Sequence, residues 1–242
     1  MMSNDEELAR QLAKKEARKA KVGGRPKLIN IPRNWLHQAI TYMDAGELWF
    51  RLTIETIELV AVFQLIRWAE PDMSIVVALL LAGVLVHTWN WITNGLFWVV
   101  IIQTFPQLEN PGAISTVKFV GEMTERLKKY DCISGVAVYG SVSRGAWHVR
   151  SDIDMRILRR PGWVSLIQAA ILTMRERFYA LLAGQPMDVY LADDTDFLTK
   201  LRPDEIPLLL LKRDERLERL YPQNTETMLT LERLMPIGVR DQ

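Results

Sequence analysis

The stretch VAVYGSVSRGAWHVRSDIDMRIL, residues 136–158, predicts two strands joined by a Gly-Ser turn and a short basic helical loop. Apolar and polar residues alternate along residues 151–158, which is the pattern of a strand with one buried face. Asp152 and Asp154 share the polar side of this strand with Arg156. We therefore expect a half-buried strand with two acids on its open side.

Two carboxylates that are two residues apart on a strand project from the same face, with roughly 6.6 Å between their Cα atoms. Asp152 and Asp154 can therefore converge on one or two divalent cations, and such paired oxygen ligands suit Mg²⁺. Upstream of them, Gly140 allows a ligand to approach the backbone, and Ser141 can cap a following helix. Because N–H groups at a helix start bind phosphate, the stretch predicts a phosphate-binding turn beside a metal site.

The motifs GS at 140–141, RG at 144–145 and SDID at 151–154 resemble, in order and spacing, the signature of the DNA polymerase beta-type nucleotidyltransferase superfamily. Its small members are the most similar. The resemblance covers about residues 114–221 and does not extend to the first hundred residues. It implies an α/β (α+β) nucleotidyltransferase fold, in which helices flank a small mixed sheet.

The family pattern also requires a third carboxylate on a neighbouring strand, and the run MDVYL at 187–191 supplies Asp188. Alternation along this run turns Asp188 toward the same cleft as the first two acids. The resemblance implies three catalytic and metal-binding residues, Asp152, Asp154 and Asp188, with two Mg²⁺ ions expected. It implies three nucleotide-binding residues, Gly140, Ser141 and Arg144. Neither a Walker A sequence nor a Rossmann glycine fingerprint occurs in the chain.

The activity implied by the resemblance is Mg²⁺-dependent transfer of a nucleoside monophosphate from an NTP, with ATP as the expected donor, and release of pyrophosphate. The acceptor is an unknown hydroxyl-bearing small molecule or protein. Two alternatives stay open. One is a regulator that adenylylates proteins, and the other is a non-catalytic nucleotide-sensing scaffold of a membrane assembly, such as one that makes surface polysaccharide.

Composition limits the partners and the compartment. The 242-residue chain has a formal net charge of +1, and its motif region lacks a dense Lys/Arg stripe, so a nucleic acid partner is not expected. The single cysteine, Cys132, excludes an intramolecular disulfide and a cysteine-rich metal site. Its apolar neighbours predict a buried thiol, and a reducing cytoplasm is the expected setting.

Three regions differ in composition. Residues 1–51 form a charged segment expected on the cytoplasmic side, and its first 27 residues predict an exposed helix or disorder. Residues 52–106 predict a hydrophobic helical membrane region, and residues 107–242 the catalytic domain. Between residues 73 and 108 the only ionisable side chain is His87, and one helix over residues 73–105 would span about 50 Å, more than a hydrocarbon core of about 30 Å. We expect a break at the polar insertion, residues 88–95.

The simplest membrane arrangement is a helical hairpin of residues 52–68 and 73–89, with residues 95–105 at the interface or re-entering. Because NTPs and the basic N-terminus are cytoplasmic, the number of crossings should be even and the catalytic domain should face the cytoplasm. Membrane lipid is then a partner, and a membrane protein or a second copy can be another. An interfacial hairpin and a buried hairpin in a soluble oligomer remain alternatives, since Glu55 and Glu58 are costly in lipid unless they lie near headgroups or face protein.

The remaining elements follow from periodicity and turn residues. Residues 115–130 and 163–182 predict helices, the second of which crosses over to the Asp188 strand. Residues 208–211 and 212–221 predict two short strands around Asp214 and Glu215. A last helix is expected after Asn224.

Overall fold

Four strands form one mixed sheet, with helices before, between and after them. The computed structural model describes residues 28–94, 96–199, 206–222, 228–230 and 234. The helices are α1 Asn30–His37, α2 Ala45–Ala69, α3 Ile75–Thr93, α4 Leu96–Thr104, α5 Ala113–Leu127, α6 Trp163–Leu182, α7 Asp196–Thr199 and α8 Glu215–Leu220, and a 3-10 turn covers Ile40–Tyr42. The strands are β1 Ile133–Tyr139, β2 Ile153–Arg159, β3 Met187–Ala192 and β4 Leu208–Lys212.

The sheet has the order β3-β2-β1-β4. Strand β1 is antiparallel to both β2 and β4, whereas β2 and β3 are parallel. A parallel pair needs a crossover connection, and α6 supplies it with the bounds that the sequence predicted. The structure thus confirms a mixed α/β architecture with a small mixed sheet.

Both faces of the sheet are covered. One face packs against α5 and α6, where Val120, Met123 and Leu127 of α5 are completely buried on the predicted apolar side. On β2 the alternation holds as far as Ile157, but Leu158 is also buried, because a second apolar cluster with Leu217 covers that end of the other face. The open side of β2 is therefore limited to the end that carries Asp154.

Helix α2 is anchored to the edge strand β3 by a buried ion pair. Arg177 of α6 and Glu47 of α2 are each 2% exposed and lie 2.5 Å apart. Arg177 Nε donates to the Val189 carbonyl at 2.7 Å, and Glu47 Oε2 accepts from the Leu191 N–H at 2.7 Å. Because an edge strand has unpaired backbone groups, these side chains take the place of a further strand beside β3.

Helices α2 and α3 pack against each other with their polar groups facing inward. His87 Nδ1 lies 3.0 Å from Glu55 Oε1, and Asn90 Nδ2 donates to Glu58 Oε2 at 2.6 Å. The two acids that would be costly in lipid therefore face α3. Helix α2 is continuous across residue 51, so the charged N-terminal segment and the apolar region share one helix.

The predicted helix break occurs only at the end of the polar insertion, because α3 continues to Thr93 and α4 begins at Leu96. For residues 88–93 the predicted break was wrong. The polar side chains remain compatible with a helix because they bond to carbonyls one turn back, as Thr88 Oγ1 does to Val84 at 2.6 Å. They also hold α1, since Trp35 Nε1 donates to Thr88 Oγ1 at 3.1 Å. The insertion thus serves as a docking site for α1.

Among the described helices, α3 alone is long and apolar enough to cross a membrane, judged by length and composition only. Its buried positions Ala78, Ala82 and Val86 recur every four residues, so one narrow face packs inside the protein. Most other side chains between residues 75 and 85 are apolar and exposed, for example Leu80 at 66%.

At the C-terminal end the second predicted strand, residues 212–221, was wrong. Strand β4 ends at Lys212, and Asp214 caps helix α8 by accepting a hydrogen bond from the Arg216 N–H at 2.9 Å. An aspartate at a helix start favours this outcome because it satisfies a free backbone N–H. The predictions for residues 1–27 lie outside the described residues, as does most of the chain after Asn224.

Candidate functional site

The predicted acids meet where β2 and β3 begin. In the parallel register Asp154 of β2 is the direct partner of Asp188 of β3, and neighbouring strands are about 4.8 Å apart. Asp152 lies one residue before β2, two residues from Asp154. All three side chains line one cavity of about 580 Å³.

The cavity has walls from both halves of the chain. Its floor is the sheet, which contributes the three acids together with Tyr139, Arg156 and Tyr190. The other described residues that line the cavity come from α1, from the segment around the 3-10 turn, from α4 and from α7: Asn34, Ala39, Thr41, Tyr42, Met43, Asp44, Leu96, Val99, Val100, Gln103 and Phe197. The apolar N-terminal region is therefore part of the site.

Asp188 has one carboxylate oxygen inside the protein. Its Oδ1 is buried and has no hydrogen-bond partner among the described residues. Burial raises the pKa of Asp188 to about 6, and the negative charge of Asp152 adds to the effect. Burial also raises the pKa of Asp152. A bound cation would supply the partner that this buried carboxylate oxygen lacks.

The donor set suits Mg²⁺ in its chemistry, because all three ligands are carboxylates. Within the described ranges, no three His, Cys, Asp or Glu side chains are gathered as a ready metal-binding cluster. Like charges at this spacing repel one another, and Gln103 Nε2 also donates to Asp152 Oδ2 at 3.3 Å. Binding of an ion would therefore require the carboxylates to turn toward each other.

Gly140 is required beside Asp154 for two reasons. Its φ is +72°, a left-handed conformation that side chains disfavour. A Cβ atom at this position would lie 1.8 Å from Asp154 Oδ2. The glycine thus leaves room for the carboxylate of Asp154, which the antiparallel β1–β2 register places opposite Tyr139.

The chain after Gly140 forms hydrogen-bonded turns over residues 140–145, so the predicted basic helical loop was wrong. The Ala146 N–H donates to the Ser141 carbonyl at 2.8 Å, which closes the turn without continuing it as a helix. Ser141 Oγ is buried without a hydrogen-bond partner among the described residues. Arg144 is exposed on this turn. None of the three predicted nucleotide-binding residues, Gly140, Ser141 and Arg144, is among the residues that line the cavity.

Asn110 positions the loop that leads into Asp152. It is 8% exposed, and its Nδ2 donates to the Ser151 carbonyl at 3.0 Å while its N–H donates to the Val149 carbonyl at 2.7 Å. In the sequence Asn110 marks only the end of the apolar region. Its partners are about forty residues away, so no local signal identifies this role.

Three further cavity residues were not assigned to the site from the sequence. Gln103 bonds to Asp152 from α4, and Arg156 Nη1 donates to the Tyr42 carbonyl at 2.8 Å. Gln103 was detectable as one of a few amides in a long uncharged run, and Arg156 from its alternation with the acids. Tyr42 has no such signal.

No protein-family model matches the chain, and no curated protein matches it at a significant level.

Proposed function

We propose that this protein is a Mg²⁺-dependent nucleotidyltransferase with the fold of the DNA polymerase beta-type superfamily. The observation that carries the proposal is the direct pairing of Asp154 with Asp188 in the β2–β3 register, with Asp152 two residues away. The small mixed sheet and the glycine turn packed against Asp154 support the same assignment. Each feature alone is common, and their combination favours the proposal.

In this proposal Asp152, Asp154 and Asp188 hold Mg²⁺, which when bound stabilises charge on the entering and leaving oxygens. Gly140 and Ser141 would contact the nucleotide phosphates from the turn beside the cavity, where the Ser141 hydroxyl is buried without a hydrogen-bond partner among the described residues. Asp188 would help to deprotonate the acceptor hydroxyl. Since Arg144 is exposed outside the cavity, its proposed contact requires part of the nucleotide to reach the turn.

We also propose that the exposed face of α2 and α3 lies in the cytoplasmic membrane. Trp68 is 80% exposed, and exposed apolar side chains continue along both helices. Glu55 and Glu58 are turned toward α3, so they do not interrupt this surface. From residue 52 to residue 69, α2 extends about 26 Å, close to the hydrocarbon thickness of about 30 Å. If α2 and α3 both cross the membrane, the catalytic domain with Asp152, Asp154 and Asp188 stays on the cytoplasmic side.

The test is to incubate the full-length protein with each α-labelled nucleoside triphosphate, Mg²⁺ and a native membrane extract. We expect one nucleotide to transfer its label to an acceptor and to release pyrophosphate, and EDTA to stop the reaction. The variant Asp154→Asn is the matched control, because it keeps the shape of the side chain and removes the charge. Label in a protein band would favour the adenylylating alternative, and the absence of both label transfer and pyrophosphate with all four donors would contradict the proposal.

A further inference from the structure

Arg156 differs from the other charged residues of the acid cavity. Of the described residues that line the cavity, four are acids, namely Asp44, Asp152, Asp154 and Asp188, and Arg156 is the one cation. It lies on β2 two residues beyond Asp154, so it projects from the same face as the acid. The cavity therefore contains one fixed positive charge among several negative ones.

The guanidinium of Arg156 is held in place by its neighbours. Its central carbon lies 4.4 Å from the ring centre of Tyr190 and 5.9 Å from that of Phe197. Its Nη1 donates to the Tyr42 carbonyl at 2.8 Å. Stacking on an aromatic face and a hydrogen bond restrict a long side chain that would otherwise adopt many rotamers. The cost of ordering it for a ligand is thus reduced before the ligand binds.

A triphosphate that enters this cavity meets four carboxylates, and Mg²⁺ offsets only part of their repulsion. A guanidinium has its donors in a planar fork, which matches two oxygens of one phosphate group. Arg156 can supply such contacts from β2, which lies between β3 and β1 in the sheet, whereas Gly140 and Ser141 follow the end of β1.

We infer that Arg156 is a phosphate-binding residue, which makes the cavity selective for nucleotides over nucleosides. The inference rests on the proposed function, because it assumes that the cavity accepts a triphosphate. A purely structural role for Arg156 is the competing explanation, since its hydrogen bond to Tyr42 also holds the N-terminal segment over the sheet.

The test measures binding by the full-length protein in the presence of Mg²⁺. Two probes are used, the non-hydrolysable α,β-methylene triphosphate of each nucleoside and inorganic tripolyphosphate, which has no base or ribose. In Arg156→Gln the affinity for both probes should fall by a similar factor of about 10–100, because a hydrogen bond to a charged group is lost. The affinities of Arg156→Lys should lie between those of Arg156→Gln and the wild type, since lysine keeps the charge but lacks the planar fork of donors.

Arg160→Gln is the matched control, because Arg160 carries the same charge just after β2, is exposed and does not line the cavity. It should bind both probes as the wild type does. Unchanged tripolyphosphate affinity in Arg156→Gln would overturn the inference about Arg156 but not the proposed function. An equal loss of affinity in Arg160→Gln would have the same meaning. A wild-type protein that binds none of the four nucleotide analogues would instead overturn the proposed function and this inference with it.

Discussion

Two left-handed glycines in the turn after β1 differ in their surroundings. Gly140 and Gly145 have φ values of +72° and +63°, but a Cβ atom at Gly140 would meet Asp154 Oδ2 at 1.8 Å, whereas one at Gly145 would meet nothing within 4 Å. Both alanine variants should lose about 1–3 kcal/mol of stability through backbone strain. Only Gly140→Ala should also abolish nucleotidyl transfer, because it displaces the Asp154 carboxylate. Equal activity in the two variants would show that the position of Asp154 does not limit the reaction.

Asp188 should make the metal-free protein less stable as pH rises. Its pKa is raised to about 6 by burial, so the folded state binds its proton more tightly than the unfolded state does. The free energy of unfolding should therefore fall between about pH 4 and pH 6 and remain lower above this range. Asp188→Asn should be more stable than the wild type by about 1–3 kcal/mol at pH 7.5 in EDTA.

Denaturant unfolding at pH 4 and at pH 7.5 checks this prediction. The advantage of Asp188→Asn should largely disappear at pH 4, where the wild-type carboxyl is protonated in the folded state and about half protonated in the unfolded state. Mg²⁺ should narrow the difference at pH 7.5, because it would stabilise the charged carboxylate only in the wild type. A variant that is less stable than the wild type at both pH values would contradict the assigned burial effect.

At the scale of elements, α2 contributes to the stability of the sheet through Glu47. Glu47→Ala leaves Arg177 buried without its carboxylate and the Leu191 N–H without an acceptor. Breaking a buried ion pair in this way costs about 3–5 kcal/mol. The control is Glu122→Ala, because Glu122 is 55% exposed and its ion pair with Arg126 spans 3.9 Å, so we expect a loss below about 1 kcal/mol. Denaturant unfolding of both variants measures the difference, and similar losses would contradict the anchoring role of α2.

At the scale of the whole molecule, the exposed apolar surface of α3 should determine where the protein resides. We expect the full-length protein to remain in the membrane pellet after carbonate extraction. Leu80→Asp should move it toward the supernatant, since a charged side chain in a membrane helix costs about 3 kcal/mol. Ile114→Asp is the control, because Ile114 is 75% exposed but lies on α5. Wild-type protein in the carbonate supernatant would favour the soluble oligomer.

Features that depend on short-range patterns could be predicted from the sequence. Period-two alternation identified β2 and the shared face of Asp152 and Asp154, and helical periodicity gave α6 its observed bounds. The buried free thiol of Cys132 also followed from its neighbours and is confirmed. Local signals succeed here because a strand or helix fixes which of its own residues share a face.

Short-range patterns failed where local and long-range interactions compete. Residues 88–93 of the polar insertion stay helical because their polar side chains bond to the preceding turn and to α1. The segment after β4 became a helix because Asp214 caps it, although its residues also fit a strand. In both cases hydrogen bonds outweighed the hydrophobic pattern.

The sequence by itself determined which acids are candidates for the site, where the glycine turn lies and that the fold is mixed α/β, because these depend on spacing along the chain. Only the tertiary structure decided that Asp154 and Asp188 are register partners and that the N-terminal region closes the cavity above them. Glu47 and Arg177 are 130 residues apart, and no local sequence feature of either residue predicts that they form a pair. Such pairs form because burying one charge requires the other, a condition that only the assembled fold can meet.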